Sequence, residues 1–82
     1  MKTYEGLFGI YSVRVKAQNA EEAKEKILQK IETYKEGSDK RRHIENYLKN
    51  NNKFVIIEVG RYNGFYVQLK GGEEYGTGEF NV

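Results

Sequence analysis

The chain has 82 residues and no cysteine, which excludes disulfide, zinc-thiolate and thiol chemistry. A chain of this size buries only about 60% of its unfolded surface, enough for a single small core. Lys and Arg number 14 against 12 Asp and Glu, a formal net charge of +2, too even to mark a dedicated nucleic-acid binder. No run nears the ~18 consecutive apolar residues of a membrane span, and Met1 to Ile10 lacks the apolar stretch of a signal peptide. A cytoplasmic protein whose mature form begins at or near Met1 is the expectation.

The first element alternates in period two. Leu7, Tyr11, Val13, Val15 and Ala17 fall on one side, and Phe8, Ile10, Ser12, Arg14 and Lys16 on the other. This reads as one long strand, bent or bulged near Gly6 or Gly9. Asn19 then opens a helix as its cap, with Glu22 three residues on to complete a capping box. Ala20, Ala23, Ile27, Leu28, Ile31 and Tyr34 form one apolar stripe at ~100° per residue. Gly37 is placed to close that helix, and Ser38 or Asp39 to cap a second, shorter one over 39–49 whose apolar residues are Ile44, Tyr47 and Leu48.

Phe54 to Val59 is a strand by its β-branched content, and Asn63-Gly64 marks a turn after it. A three-residue loop over Tyr62, Asn63 and Gly64 pairs Val59 with Val67 and Ile57 with Leu69, keeping apolar residues together. Gly71-Gly72 then turns the chain into a last strand over 73–80, interrupted by Gly76 and Gly78, which makes it an edge. The predicted fold is α+β over residues 1–82: strand, helix, short helix and three-stranded meander in one antiparallel sheet, the main helix packed on one face.

These registers place Val13, Val15, Val55, Ile57, Val59, Val67 and Leu69 under the main helix. The second face would then carry Phe8, Ile10, Phe54, Ile56, Tyr66 and Tyr75, fringed by Arg14, Lys16, Gln68 and Lys70. Six large side chains in one exposed patch would mark a binding surface. Three occupants are open at this stage: the short helix folding across, a second copy in a homodimer, or a foreign protein or nucleic acid.

Residues 38–53 hold Lys40, Arg41, Arg42, Lys49 and Lys53 against Asp39 and Glu45, a local excess of +3. With the sheet aromatics this segment supports an alternative reading as a nucleic-acid-binding module. A catalytic kit is missing. The single histidine, His43, has no nucleophile at a useful spacing, and Glu73-Glu74, adjacent on a strand, point to opposite faces. No metal or cofactor is expected, since carboxylates and His lack ligand spacing and the glycine-rich end has no following helix with Lys-Ser/Thr. The stretch Val13 to Ile27 resembles the strand-to-helix start of many small α+β proteins, and no family follows from it. The functional expectation is a non-enzymatic protein-binding module that acts by occluding a partner's surface. Such a module is an inhibitor or adaptor of the kind found among phage and mobile-element accessory, anti-defence proteins, and it requires no membrane.

Overall fold

The computed structural model describes residues 1–60, 63–68 and 77–81, with side chains for 1–60 and Val67. The order of elements is β1 (Lys2–Phe8), β2 (Tyr11–Ala17), α1 (Ala20–Glu32), α2 (Asp39–Asn51), β3 (Lys53–Glu58), β4 (Asn63–Gln68) and β5 (Thr77–Asn81). The fold is α+β, and its strands form one antiparallel sheet in the order β2-β1-β3-β4-β5.

The long first strand is in fact a hairpin. Gly9 adopts φ +72, and the register closes with Phe8 opposite Tyr11 across Gly9-Ile10. Glycine at the first position of a two-residue loop supplies the left-handed backbone whose twist suits the flanking strands. The period-two count therefore restarts at the turn. Phe8 joins the side of Tyr11 and Val13, and β1 begins early enough to bring Tyr4 to the same side.

Helix α1 starts as its cap predicts. The Asn19 side chain accepts from the Glu22 N–H at 2.8 Å, while Glu22 reaches back to accept from the Gln18 N–H at 2.6 Å, one residue earlier than in the usual box. The helix ends at Glu32 with Thr33 as its cap, so Gly37, at φ +84, belongs to the connection. Ser38 caps α2 by accepting from the Arg41 N–H, and the asparagine run closes it at Asn52, held left-handed at φ 60.

The β3–β4 register differs from the expected one. Phe54 pairs with Val67, Ile56 with Phe65 and Ile57 with Gly64. Gly60, at φ +90, follows β3, while Asn63 and Gly64, expected in the turn, lie inside β4. This moves Val67 to the side of Phe54 and Ile56. Strand β5 pairs Val67 with Thr77 and Asn63 with Asn81, and the expected Gly71-Gly72 turn lies outside the described residues.

Both helices lie on the same face. α1 packs on β2 and β1, and α2 on β1, β2 and β3. The core between them and the sheet holds Tyr4, Phe8, Val13, Ala17, Phe54, Ile56 and Val67 from the strands with Ala23, Ile27, Ile31 and Ile44 from the helices. Aromatic packing seats α2: the Tyr47 ring meets Phe8 edge-on at 6.0 Å, and Phe8 lies 4.8 Å from Phe54. Gly6 lets α1 approach, since a Cβ there would sit 3.1 Å from Ile27 Cδ1.

Candidate functional site

Alternation along β1, β2 and β3 sends a second set of side chains to the face without helices: Glu5 and Leu7 from β1, Ser12, Arg14 and Lys16 from β2, and Lys53, Val55 and Ile57 from β3. Leu7 pairs with Val55, and Glu5 with Ile57. Leu7, Val55 and Ile57 are half-buried and none packs against the core, so they form a contiguous aliphatic strip on the central strands. Among the described residues no helix covers it.

The strip has a polar border. Glu5 accepts from the Ser12 hydroxyl at 3.1 Å and from the Arg14 guanidinium at 3.4 Å. Among the described residues the cations of this face, Arg14, Lys16 and Lys53, are exposed, and its carboxylate, Glu5, is already engaged. The face is therefore apolar in the middle and cationic at the rim. An apolar centre ringed by polar groups is the usual layout of a protein interface.

The residues predicted for the second face separate. Phe8, Phe54 and Ile56 are 0%, 1% and 0% exposed, as members of the core. The hairpin at Gly9 moved Phe8, and the short helix α2 folds across Phe8, Phe54 and Ile56, the first of the three occupants considered for that set. Ile10 stands 79% exposed at the hairpin tip, away from the strip. Tyr66 is the register partner of Val55, a position of the uncovered face. Tyr75 lies outside the described residues, as does Glu73-Glu74. From sequence, Val55 and Ile57 of the strip are expected under the main helix and Leu7 on the side of Val13. The signal that would have found the strip is Phe8-Gly9-Ile10-Tyr11, a glycine-led pair between two strand formers.

The basic segment is largely committed to holding the helices. Arg41, whose side chain is only 19% exposed, donates through Nη1 to the carbonyls of Glu32 and Tyr34 and through Nε to Glu45 at 3.0 Å. It ties the end of α1 to the start of α2. Arg42 pairs with Asp39 at 2.8 Å, and Lys40 lies 5.0 Å over the Tyr34 ring. Lys49 and Lys53 are exposed at the far end of this segment.

His43 is exposed on α2 with the Tyr11 ring edge-on at 5.4 Å. It borders a groove of about 300 Å³ with Asn46, Tyr47, Asn50 and Asn51. A larger groove, about 430 Å³, runs beside α1 and is lined by Glu21, Glu22, Lys24, Glu25, Lys26 and Gln29. Neither brings a nucleophile beside a base. Among the described residues no three His, Asp or Glu side chains cluster to hold a metal, and no helix is long and apolar enough to cross a membrane.

Burial first, and the neighbouring Glu58 carboxylate second, push the Tyr4 phenol above its ordinary value near 10. The hydroxyl keeps its proton at neutral pH. No protein-family model matches the chain, and comparison with curated proteins and with solved structures gives no match.

Proposed function

We propose that this chain is a small non-enzymatic protein-binding module, an inhibitor or adaptor that works by laying its open sheet face over a partner's surface. One observation carries the reading: α1 and α2 share a face, which leaves Leu7, Val55 and Ile57 side by side without helical cover among the described residues. Partly exposed aliphatic residues on the central strands of a sheet are a cost in water that a partner relieves. Accessory proteins of phage and mobile elements that block host defences are one class that acts in this way.

A protein suits the face better than a nucleic acid. Base stacking needs exposed aromatic rings, and among the described side chains the open face presents none, Phe8 and Phe54 being buried in the core. Arg41 and Arg42, which a phosphate backbone would engage, are occupied by carbonyls and carboxylates of their own chain.

The test places a photo-crosslinking residue at position 57 and, as a control, at exposed Glu36, in the cell that makes the protein. A specific protein adduct from position 57, lost on Leu7→Lys or Val55→Lys with an unchanged melting temperature, supports the reading. Adducts to a second copy, with light scattering giving a dimer, would assign the face to self-association. Adducts equal at both positions, or recovery of nucleic acid with steep salt dependence, would refute it.

A further inference from the structure

The sheet's β2 edge carries an unusual guard. In a two-residue hairpin the closing pair is hydrogen-bonded, so Tyr11, Val13, Val15 and Ala17 bond to β1 while Ser12, Arg14 and Lys16 turn their N–H and C=O groups outward. Bonding of β1 to β3 through Thr3, whose carbonyl accepts from the Val59 N–H at 2.8 Å, fits the same phase. Two of those three outward carbonyls are taken. Lys26 Nζ donates to the Lys16 carbonyl and Lys30 Nζ to the Arg14 carbonyl, each at 2.9 Å.

The match is geometric. Four residues of helix rise about 6 Å and two residues of strand about 6.7 Å, so lysines at i and i+4 on α1 meet alternate carbonyls of β2 in step. Four cations, Arg14, Lys16, Lys26 and Lys30, thus gather along one strand edge. Edge strands are a standing invitation to pairing, and lysine is a common way of refusing it.

We infer that the β2 edge is a selective docking edge for an extended acidic segment, which Lys26 and Lys30 close to other strands. A neutral or basic strand would have to strip two ammonium groups from their carbonyls and offer nothing in return. An acidic strand with its carboxylates on the helix side supplies them to Lys26 and Lys30 while its backbone takes over the ladder, and Arg14 and Lys16 on the open side add to the attraction. The edge shares Arg14 and Lys16 with the rim of the open face, but its outward backbone groups and Lys26 and Lys30 lie apart from the strip of Leu7, Val55 and Ile57, so either assignment can fail without the other.

Three blocked peptides serve as probes: Val-Glu-Val-Glu-Val-Glu-Val, its Gln counterpart and its Lys counterpart. Fluorescence anisotropy gives affinity, and hydrogen exchange at the Ser12, Arg14 and Lys16 amides locates binding. The intact chain should bind the Glu peptide roughly tenfold or more tighter than the Gln peptide, with protection gained at those three amides. Lys26→Met with Lys30→Met should bring the two affinities together by admitting the Gln peptide, whereas Lys26→Arg with Lys30→Arg should keep the preference. If the double Met variant fails to fold, Lys30→Met alone is expected to shrink the preference. Equal binding of Glu and Gln peptides by the intact chain, no binding of either, or protection confined to Leu7, Val55 and Ile57 overturns the inference.

Discussion

Ile56 and Ile57 are neighbours of the same residue type on β3, and the structure assigns them opposite fates. Ile56 is fully buried under the helices, opposite Gly6 on one side and Phe65 on the other. Gly6 has no side chain to swing into a gap, so Ile56→Ala leaves a cavity that collapses poorly and should cost about 3–4 kcal/mol. Ile57 is half-exposed on the uncovered face, and Ile57→Ala forfeits part of its transfer energy and some strand preference, about 1 kcal/mol. A chain of this length has about 4–12 kcal/mol in total, so the first change is a large share and the second a small one. At about 4–8 °C per kcal/mol, the melting temperatures of the two variants should differ by about 10–20 °C. Urea unfolding followed by far-ultraviolet circular dichroism, with equal slopes for both variants, gives the comparison directly. Costs within about 0.5 kcal/mol of each other would mean that Ile57 is covered as well as Ile56, and the docking face would be lost.

Other expectations follow from single contacts. Gly6→Ala brings a methyl to 3.1 Å from both Ile27 Cδ1 and Phe8 Cε2; overpacking of this kind should cost about 1–3 kcal/mol by urea melt, and Ile27→Val should recover part of it. Asn19→Ala removes the acceptor for the Glu22 N–H and should cost about 1 kcal/mol, with Asn19→Ser nearly neutral in the same assay. Arg41→Lys breaks a fork that spans two carbonyls and a carboxylate and should lower stability by about 1–2 kcal/mol, while Arg42→Lys, at an exposed i,i+3 pair, should change it little. Because folding raises the Tyr4 phenol above its unfolded value near 10, the native state holds that proton where the unfolded chain has released it. Its stabilising contribution is full below pH about 10 and fades as pH climbs through the native value. Melting temperatures across that range should fall faster for the natural chain than for Tyr4→Phe, and parallel curves would contradict the assignment.

Local chemistry was readable wherever a residue acts on its own neighbours along the chain. Asn19 and Glu22 announced α1, and the stripe through Ala23, Ile27 and Ile31 announced its buried side. Ser38 and the asparagine run bounded α2. Those signals work within a turn or two of helix, so no distant partner can alter them. Faces of a sheet are different, because one misplaced turn inverts every assignment downstream of it. Treating residues 7–17 as one strand put Phe8 opposite Val13, and placing Asn63 and Gly64 in the second turn rather than in β4 put Val67 beside Ile57.

From its residues alone, the chain is committed to an α+β fold with two capped helices, one antiparallel sheet and more apolar strand positions than a single helix can hide. Tertiary structure decided which positions those are. Gly9 folds the first strand back on itself, and both helices settle where Phe8, Phe54 and Ile56 offer the larger aromatic and branched surface. Among the described residues the smaller strip of Leu7, Val55 and Ile57 has no helical cover, because burying the bulkier side removes more apolar area from solvent.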